Sequence, residues 1–303
     1  MKLIKWSLVI LALLILLSCQ SAPKADPAYS AEIEEWYNNR ITGLKKENSW
    51  LNLIGLFWLQ EGVNTFGSDP NNTIIFPEKA SPFLGKIVLE AGKTVLYPNK
   101  DSEILYDGKP VLDSLQLVDD TQQNTTILDT GELRWYIIKR GDRFGIRLRD
   151  LKHKLLTEFK GIDRFPVDEK WRISAKFERM DPPKTIEIPD ILGGTTQESS
   201  YGTFVFTING KTYRLETTGD PAKLKRMFVV FGDATNRKTT YGGGRFIYIP
   251  VPDEQGNSVI DFNKAYNPPC VFSPYATCPL PTEANTLDLA IKAGEQMWGD
   301  AHH

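Results

Sequence analysis

From residue 73 onward, apolar and polar positions alternate in short runs, and each run ends at a turn signal. Residues 86–89 and 94–97 flank Ala91-Gly92-Lys93. The pair Asp107-Gly108 suits a tight turn in which both central residues carry positive φ. Residues 134–139 and 143–148 flank Arg140-Gly141-Asp142, and residues 201–206 and 212–216 flank Asn209-Gly210. Each arrangement predicts a β-hairpin. Residues 227–231 and 245–249 read as further strands. Residues 287–292 alternate apolar and polar, which predicts a closing strand rather than a helix. Short strands at regular spacing with turn signals between them point to a sandwich or barrel.

The first 59 residues follow other periods. Ile33, Trp36, Tyr37, Ile41 and Leu44 share one helical face, and Ser30 is a good N-cap. Glu32, Glu34 and Glu35 then suit the positive end of the helix dipole, and Lys45 and Lys46 its negative end. This predicts a helix from Ser30 to about Lys46. Residues 49–59, rich in Trp, Leu and Gly, fit a buried helix or a buried extended piece equally well. At the start of the chain, Lys2 and Lys5 precede an apolar run over residues 8–17, short for a bilayer span, which needs about 20 residues. A charged start, a short apolar core and small Ser18 describe an export signal. The ending Leu16-Leu17-Ser18-Cys19 resembles the bacterial lipobox. That resemblance implies cleavage ahead of Cys19 and lipid on its sulfur. With Gln20 next rather than aspartate, it implies an outer-membrane anchor facing the periplasm.

The expected organisation is a signal peptide over residues 1–18, a polar tether over 19–28, and one β-rich domain over 29–303 with a sub-boundary near 150–163. Overall the fold is mainly β: an N-terminal helix, then a large antiparallel sandwich or partly closed barrel. Composition narrows function only modestly. A net charge of -2 lacks the clustered basic excess of a nucleic-acid surface. The expected partners are therefore a membrane, through the lipid, and a small polar or anionic ligand, with no cofactor and no nucleic acid. Of the three cysteines, Cys270 and Cys278 remain after Cys19, and an even pair in an exported chain favours a disulfide. A two-thiolate metal site is the alternative, short of the four ligands a structural zinc requires.

The densest polar stretch runs from Tyr241 to Asn285. It holds Gly242-Gly243-Gly244-Arg245, Asp261-Phe262-Asn263 and Ala265-Tyr266-Asn267-Pro268-Pro269-Cys270, then Tyr275-Ala276-Thr277-Cys278-Pro279-Leu280-Pro281. Together with Trp50-Leu51, Gly55-Leu56-Phe57-Trp58-Leu59, Arg147-Leu148-Arg149-Asp150 and Ala293-Gly294-Glu295, this stretch resembles the bacterial family of uncharacterised proteins DUF1684. The resemblance implies one folded unit and transfers no reaction. On their own chemistry, Tyr241, Arg245, Asp261, Asn263 and Asn267 are candidate ligand contacts, with arginine as a planar fork for carboxylate or phosphate. The competing reading is that Arg245 pairs with Asp261 and the asparagines cap turns. Arg147 and Arg149 share a strand face, as a ligand-facing or a merely solvated basic stripe.

Catalytic templates fit poorly. His153 is the sole plausible base for a Ser-His-Asp arrangement, no serine occupies a Gly-x-Ser-x-Gly elbow, and the glycine run lacks a phosphate-loop ending. Paired carboxylates, Asp233 and Asp261, keep open a hydrolase acting on an envelope polymer or sugar. A structural or interaction lipoprotein without a small ligand is the third expectation.

Overall fold

The computed structural model describes residues 25–299. The expected signal peptide, Cys19, most of the expected tether, His302 and His303 lie outside the described residues.

Helix α1 (Pro27–Leu44) opens the described chain, earlier than the apolar spacing predicted. Asp26 rather than Ser30 is the N-cap, its carboxylate accepting the Ala28 amide at 2.7 Å. Pro27 sits in the first turn, where its missing N–H would have found no partner. Ser30 therefore falls inside the helix, and Pro27 and Ala28 belong to the helix, not to the tether.

Eleven strands follow: β1 (Leu53–Trp58), β2 (Gly62–Gly67), β3 (Ile74–Ile75), β4 (Gly85–Glu90), β5 (Lys93–Pro98), β6 (Ile104–Tyr106), β7 (Lys109–Pro110), β8 (Leu115–Leu117), β9 (Leu128–Thr130), β10 (Leu133–Arg140) and β11 (Arg143–Asp150). They form two sheets, ordered β1-β11-β10-β9-β6-β7 and β3-β2-β4-β5-β8. Their inner faces meet around Phe66, Ile87, Leu96, Trp135, Ile137, Ile146 and Leu148. The ambiguous segment 49–59 is thus resolved as extended, with β1 lying antiparallel along β11.

A short helix, α2 (Leu155–Glu158), leads to the second half. Here β12 (Arg172–Pro189), β13 (Thr195–Ile208), β14 (Lys211–Thr218) and β17 (Asn257–Asp261) form one sheet, and β15 (Arg226–Phe231) pairs with β16 (Arg245–Pro250). Phe204, Phe206, Leu215, Val229, Ile247 and Phe262 fill the core between them. A third cluster joins Leu51 and Leu53 to Val230, Tyr241, Phe246 and the Cys270–Cys278 segment. The protein is mostly β with an N-terminal helix and several antiparallel sheets, as the alternation predicted.

The hairpin turns follow their dipeptides. Ala91-Gly92, Asp107-Gly108 and Asn209-Gly210 all carry positive φ, the conformation whose twist matches paired strands. Residues 287–292 are the exception. They form only a brief ladder, Leu287 and Leu289 bonding to the backbone of Gly232 and Ala234, and it stops at Ile291, whose amide donates to Asp233 and whose carbonyl accepts from Arg245. At Ile291 side chains take the places a neighbouring strand would fill. Cys270 and Cys278 are bonded to each other.

Candidate functional site

Arg245, on β16, is wholly buried. Its Nη2 pairs with Asp233 at 2.9 Å and also donates to the Ile291 carbonyl at 2.9 Å, while Nη1 donates to the Ala293 carbonyl. Asp233 is equally closed. Its Oδ1 accepts the Thr235 amide and hydroxyl, and its Oδ2 accepts Arg245 and the Ile291 amide. Burial pushes the guanidinium below its ordinary value, against the pull of Asp233. Neither Arg245–Asp261 pairing nor a hydrolytic Asp233–Asp261 pair survives this geometry. The partner of Arg245 is Asp233, and a carboxylate with no exposed side-chain surface cannot reach a substrate.

The other residues of the polar stretch are divided among separate contacts. Asp261 accepts the Tyr29 hydroxyl of α1 at 2.8 Å and lies 3.6 Å from Lys264. Asn263 donates to the Tyr29 oxygen at 2.9 Å and the Asp168 carbonyl at 3.0 Å. The Asn267 amide donates to Glu295, whose carboxylate also holds Arg40 of α1 at 2.8 Å. Tyr241 is buried, and burial raises its hydroxyl above the ordinary range. These residues hold α1 and the C-terminal segment against β16 and β17. They do not converge on one open pocket.

The arginine face of the first sheet differs. Strand alternation on β10 and β11 puts Trp135, Ile137, Ile146 and Leu148 into the core, and Arg134, Tyr136, Arg140, Arg147 and Arg149 on the opposite side. Arg147 and Arg149 are each only 3% exposed, yet no carboxylate among the described residues lies within 4 Å of either guanidinium. Arg149 donates to the Asn52 side chain and to the Tyr136 hydroxyl, both at 3.2 Å. Arg147 donates to Thr277 at 3.3 Å, and its buried Nε has no acceptor. Trp50 stands over both guanidiniums, at 5.3 and 5.6 Å. Burial pushes the Arg147 guanidinium below its ordinary value, and Arg140 lowers it further, against Tyr136 and Asp120.

Beside this face lies an open groove of about 720 Å³, lined by Lys45, Lys46, Arg134, Tyr136 and Arg149 among others. Arg134 is paired with Asp129, at 2.7 and 3.0 Å, and with Glu47, an exposed carboxylate that also lines the groove, at 3.4 Å. Arg140, at the far end of β10, is held by both oxygens of Asp120. The uncompensated charge therefore sits at Arg147, Arg149 and the two lysines. A buried cation is costly unless an anion or hydrogen-bond acceptors compensate it. An incoming carboxylate or phosphate would do so, and arginine presents a fork matched to either.

Residues 157–296 match a family described as "Protein of unknown function (DUF1684)". This segment belongs to DUF1684. No curated protein matches the chain. Among solved structures, the chain is similar to an uncharacterised protein from Haloarcula marismortui determined by NMR. The two are 28% identical over 48% of this chain and 80% of that one, with a TM-score of 0.39. It is also similar to the FHA domain of FhaA, solved with the intracellular domain of Rv3910. Identity there is 18% over 31% of this chain and 97% of that one, with a TM-score of 0.22.

The DUF1684 segment contains Arg245, Asp233 and the disulfide, whereas Arg147, Arg149 and the groove precede it. The two meet where the disulfide loop covers the arginine face. Thr277 accepts from Arg140 and Arg147, and Ser273 donates to the Leu53 carbonyl at 2.8 Å. Of the residues singled out from sequence, Arg147 and its neighbour Arg149 are the ones left with unmatched charge. Tyr136, Lys45 and Lys46 were not expected at a site. The alternation that buries Trp135 and Ile137 was the signal for Tyr136.

Proposed function

We propose that this chain is an exported, lipid-anchored binding protein of the cell envelope that holds a small anionic ligand on the arginine face. The ligand's carboxylate or phosphate sits against Arg149 in the groove, with Arg147 behind it and Lys45 and Lys46 at the mouth. Trp50 and Tyr136 flank the bound group. One observation carries the reading: two buried guanidiniums lack any carboxylate partner among the described residues, while the equally buried Arg245 has one. The anchor rests on the Lys2/Lys5 start, the apolar run over residues 8–17 and the cysteine at position 19.

Calorimetric titration of the full chain with inorganic phosphate and with citrate tests the site. At least one should bind saturably, and Arg149→Met should weaken it roughly tenfold or more, the worth of one charge-assisted hydrogen bond. Saturable binding of neither, or binding indifferent to Arg149→Met, would reject the site. The anchor is tested separately: Cys19→Ser should move the protein from the membrane fraction to the soluble one.

A further inference from the structure

A second, more enclosed space lies at the other end of β10, away from the groove. It is a cavity of about 460 Å³, within the range of small-molecule sites. Its roof is the long β12–β13 hairpin. The tip of that hairpin is clasped by the disulfide loop, the Ile191 amide donating to the Cys278 carbonyl and the Leu280 amide to the Pro189 carbonyl. Ile186 and Ile188 face it from the hairpin, Phe228 and Val230 from β15, and Pro279 and Leu280 from the loop. These make an apolar interior.

Its polar atoms are unevenly satisfied. Glu216, on β14, is buried and fixed in place: Asn285 accepts from its amide at 2.7 Å and donates to its carbonyl at 2.9 Å. Carboxylate Oε1 takes the Ser200 hydroxyl and Lys184, both at 2.8 Å. Among the described residues no hydrogen bond reaches Oε2. The Thr282 hydroxyl, also on the lining, is buried without a partner. Glu198 and Asp190 add two more carboxylates to the walls; of the nearby cations, Arg140 is held by Asp120 and Lys184 by Glu216, which leaves Lys139 alone against the two acids. The unused capacity of the cavity is therefore that of an acceptor, and its unmatched charge is negative.

We infer that this cavity is a second ligand site, for an amine with a compact apolar body: the ammonium donates to Glu216 Oε2 and Thr282, and the body packs under Ile186, Ile188 and Phe228. It takes the opposite charge from the anion at the groove, so the two sites do not compete.

An isosteric series tests it, titrated into the full chain by calorimetry: 3-phenylpropylamine, 3-phenylpropanol and 3-phenylpropanoate. The amine should bind saturably and about tenfold tighter than the alcohol, since a charge-assisted hydrogen bond replaces a neutral one. The carboxylate should bind more weakly than either. Glu216→Gln, which keeps the shape, should bring the amine to the level of the alcohol. Ile188→Trp, which fills the cavity from the partly exposed hairpin, should abolish binding of all three. Neither variant should alter the phosphate or citrate titration, so failure here is separable from failure at the groove. Absent amine binding, a preference for the carboxylate, or a full response in Ile188→Trp would overturn the inference.

Discussion

Arg147→Met separates a residue kept for a ligand from one kept for the fold. In the wild type this guanidinium is 3% exposed, has one long hydrogen bond at 3.3 Å to Thr277, and leaves Nε without an acceptor. Removing the charge forfeits that bond, about 1.5 kcal/mol for a charged donor, and a Trp50 contact of roughly 0.5–2 kcal/mol. It also relieves a buried, unpaired cation of a desolvation penalty of several kcal/mol. Methionine is long and flexible enough to fill the vacated space. The balance favours the variant by about 1–3 kcal/mol, as in other replacements of buried ionic groups by apolar residues. The assay is urea unfolding followed by near-ultraviolet circular dichroism. The midpoint should rise at unchanged slope, which identifies a change in stability rather than in the unfolded chain. Saturating anion should stabilise the wild type more than the variant, because binding to the folded state alone adds RT ln(1 + [L]/Kd). A variant less stable than wild type by more than about 1 kcal/mol without ligand would refute the reasoning, since the arginine would then be part of the fold's own charge balance.

Asp233→Ala should do the reverse, destabilising by about 3–5 kcal/mol in the same assay, because it strands Arg245 as a buried charge. The double variant Asp233→Leu/Arg245→Met should recover most of that loss, and failure to do so would show that the pair is held for more than charge. Burial would raise the Asp119 carboxyl, but hydrogen bonds from Thr121 and Gln122 outweigh it and hold the group below its ordinary value. A lowered carboxyl stabilises the fold above the unfolded-state value of about 3.9 and loses that contribution as pH falls through the folded one. The stability gap between wild type and Asp119→Asn should therefore be full at pH 7 and close below about pH 4; a constant gap would assign it to shape alone. Gly294 has φ of +75°, and a Cβ there would stand 2.4 Å from the Ala265 carbonyl. Gly294→Ala should destabilise the fold by more than about 1 kcal/mol, the lower end of local backbone strain, and an unchanged unfolding midpoint would mean that this segment shifts freely.

The β-architecture was legible because its signals are local. Asn209-Gly210 and Asp107-Gly108 need only their neighbours to specify a turn, and the flanking alternation sets which side chains face inward. The helix start was misjudged by three residues because Asp26-Pro27 resembles a linker until its cap is formed. Residues 287–292 carry a strand's alternation but pair with a neighbouring backbone only as far as Leu289, after which side chains take over. Their partners, Asp233 and Arg245, lie far away in sequence. The same distance hid the nature of the polar stretch. Arg245 reads as a ligand fork in isolation, and only the fold brings Asp233 and the Ile291 and Ala293 carbonyls around it. Conversely, nothing adjacent to Arg147 or Arg149 could reveal that no acid would arrive.

Helix α1 is fastened to residues 162–164, through Tyr37 and Glu34, and to residues 261–295: Tyr29 to Asp261 and Asn263, Glu32 to Lys264, and Arg40 to Glu295. A polypeptide that emerges N-terminus first makes this helix early and completes its docking surface last. An 18-residue helix of mixed composition is only marginally stable alone, so it waits, with Tyr29 and Ile33 uncovered, until residues 261–295 are delivered. Those contacts act as a latch that closes after both β-sheet bodies have their strands. A chain cut short before Asn263 would leave that apolar face open, a mark by which quality control could tell unfinished molecules from complete ones.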